Sequence, residues 1–184
     1  MNDLKGCAAL ALAASMLTAS AAAQTPAAQS TTLKSNSFVA QAEAAYVAHL
    51  ASEKTGDVAL YKQSRAKGAV DEMLANLRQR GMSDKDLPTM LKRGAKYSTP
   101  LDGYRLLQAD GAGGAGRLFY RKDWKNGETE MVDFLGYVTR WEDGRWKIDC
   151  VLNATGTKLG LGSGGKLQER TVDEVAGHRC LSLK

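Results

Sequence analysis

Two dipeptides, Asn126-Gly127 and Asp143-Gly144, constrain the fold of this chain more than any other feature. Each separates runs rich in aromatic and β-branched residues. Each is also the pair that two-residue type I′ hairpins select, because both central positions need a positive φ. Together with the glycine-rich joint at 111–116 they predict four strands, over 104–109, 117–124, 129–141 and 146–153. That order is a four-strand antiparallel meander. Gly136 falls near the middle of the long third strand, where it predicts a bulge or bend.

Upstream of Pro100 the pattern is helical. Ser37 can cap a helix running to about Ser52, with Val39, Ala42, Tyr46 and Leu50 along one side. Gly56-Asp57 breaks it, and a short helix carrying Val58, Leu60 and Tyr61 follows. Val70, Met73, Leu74 and Leu77 sit at i, i+3, i+4 and i+7, an amphipathic helix that Gly81 ends. Asp86 then caps a helix that places Pro88 in its first turn, where the missing N–H costs little. Helices followed by strands make an α+β class.

The tight turns also set a register. About Asp143-Gly144, Trp141 pairs with Trp146, Thr139 with Ile148, Tyr137 with Cys150, Leu135 with Leu152 and Asp133 with Ala154. These pairs share the apolar face, because strand side chains alternate with period two. About Asn126-Gly127, Tyr120 falls opposite Asp133, with Lys122 one step along. A carboxylate beside a phenol on an apolar face can serve as an acid–base pair, since desolvation raises the carboxyl pKa. A hydrogen-bonded polar pair at the sheet rim is the structural alternative. Asp133, Tyr120 and Lys122 are therefore the candidate catalytic residues.

Residues 1–23 have the three parts of a secretory signal: Lys5, a short apolar run, and Ala21-Ala22-Ala23 as a small-x-small cleavage site. The apolar run is well short of the roughly 20 residues that span a bilayer, so stable membrane insertion is not expected. The expected location is periplasmic or secreted. A flexible leader over 24–36, rich in Ala, Ser, Thr and Gln, would precede a domain over 37–155 and a glycine-rich extension over 156–184. Cleavage removes Cys7 and leaves Cys150 and Cys180. Two cysteines in an oxidising compartment most simply pair with each other, which would tie the extension back to the fourth strand. Two free thiols and an intermolecular link are the alternatives.

No metal site is expected: His49 and His178 have no ligand-like spacing with either cysteine. His49 reads as a packed or surface residue. Gly111, Gly113 and Gly116 spell G-x-G-x-x-G, as do Gly160, Gly162 and Gly165, and 160–166 reads G-x-x-x-x-G-K. Such loops cradle phosphate only between a strand and a helix, and Leu167 stands where a Ser or Thr must hold magnesium. Nucleotide and other cofactors are therefore not expected. The net charge of +5 is dispersed, with Arg78, Arg80, Lys92, Arg93 and Lys96 spread over helix ends. An exported chain of this balance meets anionic envelope polymers rather than nucleic acid.

Ala45-Tyr46 with Leu50, Gly56-Asp57, and above all Asp143-Gly144-Arg145-Trp146-Lys147-Ile148 resemble the nuclear transport factor 2-like (ketosteroid isomerase-like, cystatin-like) superfamily over about 37–153. The resemblance implies helices packed inside a curved sheet, a cone whose pocket Tyr46, Tyr120, Asp133, Tyr137 and Trp146 would line. Members include isomerases, dehydratases and many non-catalytic binding domains, and their sheets often pair as homodimers. The extension beyond 156 departs from the plainest members and would cover the cone mouth or a sheet face. The function expected first is a non-catalytic envelope domain binding a small apolar ligand or a protein partner. A lyase or isomerase using Asp133 as base, and an adaptor on anionic envelope material, are the alternatives.

Overall fold

The computed structural model describes residues 35–162 and 164–183. The expected signal segment, Cys7 and nearly all of the expected leader lie outside the described residues. The first helix, α1 (Ser35–Thr55), begins two residues before Ser37 and runs past Ser52 to the break at Gly56 (φ 73°). Asp57 caps α2 (Val58–Ser64) by accepting from the Leu60 N–H at 2.9 Å. The third helix, α3 (Lys67–Gln79), buries Val70 and Leu77, and α4 (Leu87–Gly94) buries Leu87 and Leu91. Asp86 does not cap α4 with its side chain. Its carboxylate turns back to the Ser83 N–H (2.7 Å) and hydroxyl (2.9 Å), a reciprocal box around a 3₁₀ turn. Tyr61, Val70, Leu77, Leu87 and Leu91 form a core among these helices.

The meander forms in the expected order: β1 (Arg105–Ala112), β2 (Ala115–Asn126), β3 (Thr129–Glu142) and β4 (Arg145–Thr157). The chain is thus α+β, four N-terminal helices and a four-strand antiparallel sheet. The expected glycine loop is instead a two-residue turn at Gly113-Gly114, with Gly111 and Gly116 inside the strands.

The two predicted registers fare differently. Asp143 (φ 53°) and Gly144 (φ 74°) make the expected turn, and pairing runs as predicted from Glu142–Arg145 to Thr139–Ile148. There the register shifts, and Val138 pairs with Cys150. The extra residue is Asp149 on β4, so the bulge is not at Gly136. Its surroundings give the reason. The link between α2 and α3 docks on this edge, with the Ala66 N–H donating to the Ile148 carbonyl (2.8 Å) and Arg65 to the Asp149 carbonyl (3.0 Å). Arg140 holds the Asp149 carboxylate at 2.9 Å. The bulge changes the parity of everything beyond it. Val151 therefore joins the face of Tyr137, while Cys150 joins Val138 on the opposite face. At the other turn Gly127 (φ 58°) takes the first central position and Glu128 the second, so Asn126 pairs with Thr129. That moves the register by two residues and keeps the parity.

The inner face packs Leu118, Tyr120, Leu135, Tyr137, Trp146 and Ile148 against Phe38, Ala42, Ala45 and Tyr46 of α1. The outer face packs Phe119, Val132, Phe134 and Val138 against Val175 and Leu181 of the C-terminal segment. That segment holds a hairpin of β5 (Leu159–Leu161) and β6 (Leu167–Glu169), then α5 (Asp173–Ala176) and a 3₁₀ turn (Arg179–Leu181). The amphipathic stretch 167–176, which reads as one short helix in sequence, is divided: 167–169 hydrogen-bond to β5, and only the four residues of α5 are α-helical. Arg121, itself buried, pairs with Glu169 and with Asp123 (2.6 Å), which fastens β6 to β2. Gly136 makes room for the segment, since a Cβ there would stand 2.8 Å from Leu181. Cys150 and Cys180 stand at disulfide distance, Cα–Cα 5.8 Å, the alternative in which they pair with each other. That pair fits an oxidising, extracytoplasmic compartment. No helix among the described residues is long and apolar enough to cross a membrane.

Candidate functional site

The residues singled out in the sequence fall into three places. The first is a stack of tyrosines where α1 meets the sheet. Tyr46 stacks on Tyr137 (centroids 4.7 Å, planes 6° apart), and Tyr137 on Tyr120 (5.6 Å, 16°). Tyr120 has one proton, which it donates to Glu43 Oε1 at 2.9 Å. Its oxygen therefore accepts from the Tyr137 hydroxyl, also at 2.9 Å. Tyr46 donates to the Thr99 carbonyl at 2.7 Å. Burial pushes all three phenols well above the ordinary tyrosine range, and the neighbouring Glu43 adds to this at Tyr120 and Tyr137. They stay protonated and act as hydrogen-bonding groups, not bases.

The second place lies further along the same face. Lys122, not Tyr120, stands opposite Asp133, because the turn takes Gly127-Glu128. Asp133 accepts from the Thr155 hydroxyl at 2.8 Å and lies near enough to Tyr104 for its charge to act on the phenol. Burial first, then the Asp133 charge, pushes Tyr104 up to about 12. Lys122 donates to the Asp102 carbonyl (3.1 Å) and lies 5.7 Å from the Tyr104 ring centroid. Asp133 and Tyr120 thus share a face but each bonds other partners. The expected acid–base pair is not formed.

The third place is a cleft of about 230 Å³ between the C-terminal half of α1, the end of α4 and β4. Tyr46, His49 and Glu53 enter it from one stripe of α1, Ser98 and Tyr97 from the segment after α4, and Asn153 from β4. Glu53 accepts from the Ser98 hydroxyl, and its other oxygen lies 3.5 Å from His49 Nε2. Burial raises the Glu53 carboxyl above its usual range. Burial first, then the charge of Arg65, lowers His49 to about 3. His49 is accordingly neutral, and its buried Nδ1 has no hydrogen-bond partner. Of the five expected pocket residues only Tyr46 lines this cleft. Trp146 lines a separate groove beside Ala44, Ala45 and Ala48, and Tyr120 and Tyr137 belong to the packed core.

Glu43, Glu53 and Ser98 were not among the residues expected from sequence. A signal for two of them exists: Glu43, Tyr46, His49 and Glu53 follow one another at spacings of three, three and four, one stripe of a helix. Among the described residues no group of three or more His, Cys, Asp or Glu could hold a metal ion. The densest basic group is partly neutralised, since Arg78 is bound by the Asp84 carboxylate at 3.0 Å.

No protein-family model, curated protein or solved structure matches this chain.

Proposed function

We propose that this chain is an exported, non-catalytic binding domain of nuclear transport factor 2-like type, and that it takes a small ligand in the cleft beside α1. The supporting observation is the cleft's polar composition. Glu53 and His49 are drawn partly or wholly out of water, yet their hydrogen-bonding capacity is incompletely used, as in pre-formed ligand sites. The ligand is placed at this mouth because stacked tyrosines and Leu118, Leu135 and Trp146 fill the space between α1 and the sheet. A ligand at the mouth is also more polar than one enclosed by the inner face. The lyase or isomerase reading has less support, because Asp133 and Tyr120 do not meet. Pairing of two sheets across their outer faces is disfavoured by the C-terminal segment that packs there. Export entails cleavage near Ala23, which the intact mass of the secreted protein reports.

The test is a fragment screen on the oxidised, folded protein, followed by amide NMR. Binders are expected to shift the amides of Glu53, Ser98 and Asn153 as one cluster. Shifts confined to the Trp146 groove, or no binder at all, would reject the proposal.

A further inference from the structure

Resting on that cleft as the ligand site, we infer that it selects a small organic cation, an alkyl- or quaternary ammonium group. Three observations carry this. Glu53 is the one carboxylate among the lining residues, and its side chain is only 16% exposed, so it is reachable but poorly hydrated. A carboxylate in that state gains most from a cation that replaces the lost water, and an anion beside it would be repelled with little screening.

No Lys or Arg lines the cleft, although the chain carries 25 of them. The charge of Arg65 is felt at both His49 and Glu53, but Arg65 stands outside the lining, where its guanidinium donates to the Asp149 carbonyl at 3.0 Å. Burial and the Arg65 charge lower His49 to about 3, so near neutral pH it adds no positive charge. Glu53 is therefore the one charged side chain in the lining, in a protein that is basic as a whole.

The walls are aromatic. Tyr46 forms the buried side, and Tyr97 stands at the rim, a residue 82% exposed and the most exposed large hydrophobic among the described residues. An aromatic left in water beside a carboxylate is the arrangement that recognises ammonium groups through the ring quadrupole. The volume, about 230 Å³, suits a headgroup of this size.

The experiment uses the full oxidised protein and three probes followed by amide NMR: choline, its uncharged carbon isostere 3,3-dimethyl-1-butanol, and acetate. Choline is expected to shift Glu53, Ser98 and Asn153 and to bind at least tenfold more tightly than the isostere, with acetate silent. Glu53→Gln is expected to abolish that discrimination. Tyr97→Ala, at an exposed position that the fold does not need, is expected to weaken choline several-fold, so the inference remains open to refutation should Glu53→Gln not fold. Equal binding of choline and the isostere at the cleft would overturn the cation class and leave the cleft as a ligand site. Silence from all three probes together with a failed fragment screen would remove the cleft itself.

Discussion

The ring of Phe38 lies over Gly116, so closely that a Cβ on the glycine would stand 2.1 Å from Phe38 Cζ. Gly116 pairs with Thr139 in the sheet and its φ is not positive, so the glycine is required by space and not by backbone strain. Gly116→Ala is expected to destabilise the fold by about 1–3 kcal/mol, the usual cost of overpacking. In a Phe38→Ala background the same change is expected to cost little or nothing. Urea unfolding of the four proteins in the cycle measures the coupling, and additive costs would disprove the contact.

Cys150 and Cys180 are 30 residues apart and anchor the segment whose Val175 and Leu181 are completely buried on the outer face. A bond closing that loop is expected to stabilise the fold by roughly 3–4 kcal/mol on the chain-entropy view. Reduction should therefore lower the urea midpoint and expose 158–179 to protease before the sheet unfolds. Cleavage at equal rates in both redox states would show that packing alone holds the segment.

The contrast between the two tight turns shows what was legible in the sequence. Asp143-Gly144 set four consecutive pairs correctly, because turn chemistry is local. The prediction failed at Asp149, where the bulge is held by Arg65 and the α2–α3 link, residues some eighty positions away in the chain. At Asn126-Gly127 a single glycine satisfied a different turn position, and a two-residue shift exchanged the partner of Asp133 without changing its face. The inner-face tyrosines were legible from alternation. Glu43 and Glu53 were not, because a glutamate on a helix reads as solvent-facing until the packing of α4 and the sheet beside it is known.

The phenol relay predicts unequal costs for two similar changes. Tyr120→Phe removes the donor to Glu43 and the acceptor for Tyr137 together, leaving a buried hydroxyl unsatisfied, and is expected to cost about 1–3 kcal/mol. Tyr137→Phe leaves the bond from Tyr120 to Glu43 intact and is expected to cost about 0.5–1.5 kcal/mol. In the folded protein the three stacked tyrosines should fail to ionise below the pH of alkaline unfolding, read as a delayed absorbance rise near 295 nm. An early rise accounting for all six tyrosines would refute the burial of the stack.

His49 makes the stability of the fold depend on pH with a definite sign. Its folded pKa of about 3 lies below the unfolded value of 6.5, so between these limits the unfolded chain binds a proton that the folded one refuses. Stability is therefore present above pH 6.5 and falls as the solution is acidified, by at most about 1.4 kcal/mol per pH unit. Glu53 acts in the opposite sense: its carboxyl is raised, so in the window just above 4.5 the folded state takes the proton first and offsets the loss. Arg65, with Tyr46 and Tyr61 flanking the ring, completes the surroundings of His49. Urea unfolding at pH 7, 5.5 and 4 should show wild type losing a few kcal/mol. His49→Gln, which keeps a polar amide near Glu53, should lose clearly less between pH 7 and 5.5. Glu53→Gln should steepen the loss toward pH 4.5. Parallel curves for wild type and His49→Gln would mean that His49 is protonated freely in the folded state, and that the cleft wall is wetter than its burial implies.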